Sequence, residues 1–396
     1  MINTDDHSLC SGCGACALIC PKTCISFSTD VLGSSYAVID AAACIGCGKC
    51  ETVCPMQKEF NQPQIGIKAY AAYSIDDGIR FRGSSGGLFE AIADWILSRN
   101  GVVYASRFDE NLKLKMFEAS TKDEVKKLTK SKYLQSDVAG SFTAIKNSVR
   151  KGIHVLVCST PCQVAALKNY LGKDAEADNL YLMDFFCHGV PSQRLFDNCI
   201  EYMQKREGIK VISYEFRSKK KRGVTPHYYT IKYTKAGNNK QRTRLYLRDP
   251  FYLGFQKYIT LRDSCYHCPY GSGNHAGDIT VGDFHNIDRY VKGINRFDGV
   301  STVITNNDKG NRVWDSICNH LEAHELDLQQ LYSDHQVYSG CTPEPLLRSV
   351  FIKDAAELPF EVLMKKWFYP RKEWKKTLYY FMPVFIRRGM KSIMGL

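Results

Sequence analysis

The stretch IHVLVCSTPCQVAALKNYL, Ile153 to Leu171, decides how the larger part of this chain folds. Ile153 to Val157 is a short apolar run rich in β-branched residues, as a buried strand requires. Thr160 suits a helix cap, and Pro161 suits the first helical position, where its missing N–H is no loss. The residues after it read as a helix that stops at Gly172. A strand that passes straight into a helix is a unit of an α/β sheet, and such sheets place ligands beyond the carboxyl ends of their strands. Cys162 stands in the first turn of that helix, where the helix dipole favours a thiolate.

The same alternation continues outward. AYAAYS, VVYASRF with LKMFEAS, and LYLMDFFC read as strands. LFEAIADWILS, TKDEVKKLT, SDVAGSFTAIKNSVRKG and SQRLFDNCIEYMQKREG read as helices. From Val211 to Leu247 the pattern becomes three alternating runs, VISYEF, YYTIKYT and TRLYL, which predict an antiparallel meander. DPFYLGFQKYI then reads as a helix, with GDITVGDF and VSTVITN as further strands. The expected body is therefore a mainly parallel α/β fold with an antiparallel meander, in an N-terminal part, 66–150, and a C-terminal part, 151–350.

The first sixty residues follow another logic. CSGCGACALICP from Cys10 and CIGCGKCETVCP from Cys44 are one repeat, C-x2-C-x2-C-x3-C-P. It resembles the run of bacterial two-cluster ferredoxins, in which the cysteine before proline ligates the other cluster. The resemblance implies one [4Fe–4S] cluster on Cys10, Cys13, Cys16 and Cys54, and another on Cys44, Cys47, Cys50 and Cys20. Zinc knuckles are the competing use of such thiols, but zinc takes four tetrahedral ligands from paired C-x2-C units. Cys24 lies outside the pattern and suits a small buried position. Residues 1–60 thus form a ferredoxin domain, and the polar run Gln57 to Lys68 reads as its hinge to the body.

The chain has 396 residues and 17 cysteines. It opens without a secretory signal, so its thiols suit a reducing, cytoplasmic setting and metal ligation. No apolar run is long enough to span a bilayer. The net charge of +12 is uneven. Residues 1–60 carry six acidic against three basic residues, whereas 365–396 carry nine basic against one acidic. The segment 351–396 reads as a basic aromatic tail. It suits a helix packed on the body, or contact with a membrane surface or an acidic protein. RSKKKRG, Arg217 to Gly223, reads as a solvated loop. No nucleic-acid motif accompanies this charge.

Cys162 finds candidate partners in Cys187, at the end of a strand, and in Cys265 and Cys268 of CYHCPY. Four thiols from three segments suit a third [4Fe–4S] cluster. A zinc site on Cys265 and Cys268 with His275 or His285 satisfies the same spacing.

RGSSGGLFEAIA, STPCQVAALKNYL, DFFCHGVPS, CYHCPY and DITVGDF, in this order, resemble the coenzyme F420 hydrogenase/dehydrogenase beta-subunit family over roughly residues 65 to 350. The resemblance implies FAD and a cluster on the four thiols of these motifs. The chain departs from the family at Cys158 or Ser159, where a glycine or small residue is common, so Cys158 competes as a ligand or fills the strand end. Ser84, Ser85, Gly86 and Gly87 open a helix whose N–H groups suit phosphate. Lys132, Tyr133, Gln135 and Ser136, then Thr160, Pro161 and Gln163, and finally Asp278 and Gly282 are the other expected flavin neighbours. His188, beside Cys187, is the expected proton-transfer residue. Ordinary helix capping, surface charge and a structural histidine are the plain alternatives for these positions.

The expected function is that of a flavin and iron–sulfur oxidoreductase. Electrons pass between a two-electron substrate, FAD, a [4Fe–4S] cluster and the two ferredoxin clusters, with a redox protein or small molecule as outside partner. The rivals are a relay subunit without flavin and a body that reduces a glycan or lipid precursor. Nothing in the residues names coenzyme F420 itself as the substrate.

Overall fold

The computed structural model describes residues 1–57, 66–219, 227–271, 273–284, 287–294, 298–334, 340–368, 378–379 and 382. The expected hinge and the tail fall largely outside them.

In the first domain, the two cysteine repeats adopt one backbone shape twice. Gly12 and Gly14 have φ of 64° and 81°, and Gly46 and Gly48 have 67° and 71°. Each repeat needs these left-handed turns to wrap three cysteines round one point, and side chains rarely tolerate them. Each then enters a five-residue helix, Ala15–Ile19 or Lys49–Val53. A hairpin of β1 (Ile25–Thr29) and β2 (Ser35–Ile39) lies between the repeats.

The body is built on an eight-stranded sheet. Its strands are β3 (Lys68–Ser74), β4 (Val102–Phe108), β5 (Leu114–Ala119), β6 (Val155–Cys158) and β7 (Leu180–Phe185). Between these and the rest, β8 (Lys210–Ser218), β9 (Tyr228–Lys235) and β10 (Asn238–Leu245) form a separate antiparallel meander. The last three strands of the main sheet are β11 (Ile279–Asp283), β12 (Ser301–Thr305) and β13 (Leu321–Leu326). The order is β13-β3-β12-β11-β7-β6-β4-β5. The pairs β4/β6, β6/β7 and β7/β11 are parallel. Antiparallel β12 separates β11 from β3, which runs with them, and β5 and β13 close the edges antiparallel. The predicted parallel α/β body is thus a parallel centre with antiparallel flanks.

Alternation along β6 shows why both faces are covered. Val155 and Val157 pack with Val164 and Leu167 of the helix Pro161–Leu171. Leu156 and Cys158 point to the other face, under Leu88, Ile92 and Ile96 of the helix Leu88–Leu97. The meander packs with the helices Gln193–Glu207, Pro250–Gln256, Arg348–Glu357 and Phe360–Trp367 round a third core. Phe351, Leu363 and Met364 are buried there, so the expected tail begins as part of the body. No helix among the described residues is long and apolar enough to cross a membrane.

Candidate functional site

The ends of β4, β6, β7 and β11 and the start of β12 share one edge of the sheet, and a cleft of about 270 Å³ opens there. The loop Gly83 to Gly87 forms one wall, Thr129 to Leu134 another, and Phe185 to Val190 a third. The glycine loop is pressed onto the sheet. A Cβ on Gly86 would meet the Ala72 carbonyl at 2.4 Å, and Ser301 Oγ holds its N–H at 3.0 Å. Gly87, at φ 89°, turns the chain into the helix Leu88–Leu97, whose first turn faces the cleft. Glu90 in that turn is neutralised by Arg82 at 2.6 Å, which keeps the helix end receptive to an anion.

Arg217 projects from β8 into this wall. It pairs with Asp283 and donates to the Tyr133 hydroxyl and the Ser84 carbonyl, each at 3.0 Å. Lys132 donates to the carbonyls of Leu128 and Thr129 at 2.6 and 2.7 Å. Its side chain is half-buried overall, but desolvation of the ε-amino group lowers its pKa to about 7. Cys158, across from it, is pushed up to about 12 by burial. Lys219 behind the loop donates to Arg80, Ser85 and Asp298 carbonyls and is also lowered to about 7 by burial.

Cys187 and His188 lie on the cleft wall, and Cys187 belongs equally to a second group. Its thiol is raised well above the ordinary value by burial and then by Cys265, Cys162 and Cys268. Cys268 is raised by burial and then by Cys162, and Cys265 is raised by burial to about 11. These four thiols are neighbours whose charges would act on one another. Gly189, at φ 103°, lets Cys265 lie against the backbone, since a Cβ there would meet its sulfur at 3.2 Å. The Gly189 N–H donates to the Cys187 sulfur at 3.4 Å. Burial outweighs the helix-dipole effect at Cys162, whose pKa is raised. Such thiols ionise when a metal supplies the charge, so the donor set fits an iron–sulfur group. Among the described residues no three His, Cys, Asp or Glu side chains are close enough to hold one metal ion.

The ferredoxin-like domain sits against this group. Cys13, Ala15 and Val53 share a core with Val164, Ala165 and Leu167 of the Cys162 helix. Tyr270 donates to the Pro55 carbonyl at 2.7 Å. Burial, then Cys162, Cys268, Cys13 and Cys54, raise its pKa, so the phenol stands between the two thiol groups. The Ser11 hydroxyl is buried beside Cys13 with no hydrogen bond to another described residue, and a metal-bound thiolate at Cys13 would accept from it.

Family models now add to this geometry. The model for the C-terminal part of coenzyme F420 hydrogenase/dehydrogenase beta subunits matches residues 153–330, and that for the N-terminal part matches 69–142. The chain belongs to the coenzyme F420 hydrogenase/dehydrogenase beta-subunit family. Two models of 4Fe-4S dicluster domains match 9–58 and 36–86, so this family member carries a 4Fe–4S ferredoxin domain at its N-terminal side. A solved structure titled as a xenon derivative of the F420-reducing [NiFe] hydrogenase complex from Methanosarcina barkeri contains a similar chain. It is 17% identical over 71% of this chain and 92% of that one, with a TM-score of 0.45. No protein of curated function matches the sequence.

In this beta-subunit-like chain the cleft gathers Ser84, Ser85, Gly87, Lys132, Tyr133, Ser136, Thr160, Gln163, Gly282 and His188. Four expected flavin neighbours lie elsewhere. Gly86 is wedged on β3, and Pro161 is buried at the start of its helix. Gln135 turns away to the carbonyls of Ser11 and Gly12, at 2.8 and 3.0 Å. Asp278 is buried in the sheet, accepting from the Leu182 N–H and from Asn307. Thr160 stands at the helix cap, but its hydroxyl meets Gln163 and the Cys162 sulfur instead of a backbone N–H. His275 is buried under Phe186, and His285 lies outside the described residues. Arg217 and Lys219 correct the reading of RSKKKRG as a solvated loop at its first residues, and residues 220–223 lie outside the described residues. The signal for Arg217 was its place at the end of a strand pattern, continuous with VISYEF.

Proposed function

We propose that this chain is an oxidoreductase subunit that handles a two-electron donor or acceptor at the cleft and one-electron traffic through its ferredoxin domain. The observation that carries the reading is the series of sites: cleft, body thiols, Cys10 set, Cys44 set. Cys187 belongs to both of the first two, and Tyr270 stands between the second and third. A bound flavin supplies exchange between electron pairs and single electrons, and [4Fe–4S] groups supply one-electron carriage.

Ser84, Ser85 and Gly87 with the helix Leu88–Leu97 would hold the flavin's phosphates, and Arg217 braces that loop through the Ser84 carbonyl. Lys132, with a pKa near the working range, is suited to hold or release a proton at its Nζ. His188 lines the same cleft and remains a proton-transfer candidate. Cys162, Cys187, Cys265 and Cys268 would hold the body cluster. Cys10, Cys13, Cys16 and Cys54 would hold the nearer ferredoxin cluster, and Cys44, Cys47, Cys50 and Cys20 the farther. Cys47 is exposed, as is Ile45 at 60%, so that loop offers an outside redox partner its contact.

FAD titrated into the flavin-free chain tests the cleft. The expected result is one equivalent bound, with Arg217→Ala weakening it at least tenfold by freeing the glycine loop. Equal affinity in that variant, or no binding to either protein, would move the flavin elsewhere or remove it.

A further inference from the structure

Arg262 is among the largest fully buried side chains in the protein, and its 2% exposure raises the question of its counter-charge. Its guanidinium donates to Gln135 Oε1 from Nε at 3.1 Å and from Nη2 at 2.9 Å. It also donates to the Ser35 carbonyl at 2.7 Å and the Cys10 carbonyl at 3.0 Å, and it lies 4.6 Å from the Tyr36 ring centroid. Every one of these partners is neutral. Among the described residues it makes no ion pair, since Asp263 beside it in the chain is taken by Arg348, and burying an unpaired cation is costly. The groups around it that a cluster would charge are thiols: the Cys265 N–H donates to the Arg262 carbonyl at 3.0 Å, and the guanidinium holds the Cys10 carbonyl.

We propose that Arg262 is the shared counter-charge of the body cluster site and the Cys10 cluster site, and that it raises the reduction potential of both. The inference rests on the ligand assignment proposed above. A cluster gains one negative charge on reduction, and a cation fixed in a low-dielectric setting stabilises the reduced form. Arg262 therefore makes the two inner sites better electron acceptors than their thiolates alone would be.

The internal repeat supplies the control. Gly12 and Gly46 occupy the same place in the two repeats with nearly the same φ, 64° and 67°. A Cβ on Gly12 would meet Arg262 Nη2 at 2.4 Å and Gln135 Nε2 at 2.8 Å, whereas one on Gly46 meets nothing within 4 Å. The same loop is thus clamped by the body in one repeat and open in the other. Arg262 and Gln135 together hold the carbonyls of Cys10, Ser11 and Gly12. Arg262 is a positioning residue as well as a charge.

The test is a potentiometric titration followed by electron paramagnetic resonance on the reconstituted full chain, with iron counted first. Arg262→Gln is expected to lower the reduced-to-oxidised ratio of the two inner sites at least tenfold at a given potential, about 59 mV for one electron. The Cys44 site should not move. Arg262→Lys keeps the charge without the fork and is expected to shift them by less than half as much. Unchanged midpoints in an iron-replete Arg262→Gln protein would overturn the proposal. So would an equal shift at all three sites, or loss of the ferredoxin iron in both variants, which would leave a purely structural role. Wild-type chain with about eight irons or fewer would sink the assignment of the body cluster itself, and the iron count tells that failure apart.

Discussion

The Tyr270 hydroxyl donates to the Pro55 carbonyl at 2.7 Å, and this bond ties the body to the residue after the last ferredoxin cysteine. Both partners are buried between thiol groups, so removing the donor strands an acceptor. Tyr270→Phe should destabilise the chain by about 1 to 3 kcal/mol in urea unfolding while leaving the iron content unchanged. A wild-type midpoint would mean that the bond contributes nothing to docking.

Two glycine substitutions separate backbone strain from interface packing. Gly46→Ala should cost roughly 1 to 2 kcal/mol from its left-handed φ alone. Gly12→Ala carries the same strain and also collides with Arg262 and Gln135, adding about 1 to 3 kcal/mol. Equal losses in thermal or urea unfolding would contradict the clamp on the first repeat.

Lys132 gives a pH dependence with a definite sign. Its pKa falls from the ordinary 10.5 to about 7 because the cleft desolvates the ammonium. Between those values the unfolded chain holds a proton that the folded chain has lost. The cost to folding is therefore full at and below pH 7 and fades as pH rises toward 10.5. Lys132→Met in the flavin-free chain should stabilise it at pH 6 by on the order of 2 kcal/mol, allowing for partial solvation. That gain should shrink by pH 10. A gain that is the same at both pH values would show that charge burial is not its source.

The body thiols can be removed one at a time. Cys162→Ala should lower the iron of the reconstituted chain from about twelve to about eight while the ferredoxin signals persist. Loss of the ferredoxin signals too would mean that Cys162 serves the whole fold.

The sequence made the strand–helix alternation, the meander and both cysteine repeats legible, because each rests on local periodicity or fixed spacing. The cleft-lining side chains were harder. Gln135 and Ser136 are neighbours in a loop, yet one clamps the ferredoxin domain and the other lines the cleft. Asp278 follows a glycine, as a ligand-binding aspartate would, but its carboxylate ties β7 to the Asn307 turn. Arg217 and Lys219 lay hidden in a basic run whose charge suggested solvent. Arg262 carried no motif, since its partners come from segments more than a hundred residues away along the chain. Only the fold determines which cation meets which carbonyl.

The central claim is that this chain holds three [4Fe–4S] groups and a flavin in series. Iron and flavin per chain, measured on protein purified and reconstituted without oxygen, test it most directly. About twelve irons and one FAD are predicted. About eight irons with no flavin would contradict the account and leave a two-cluster relay.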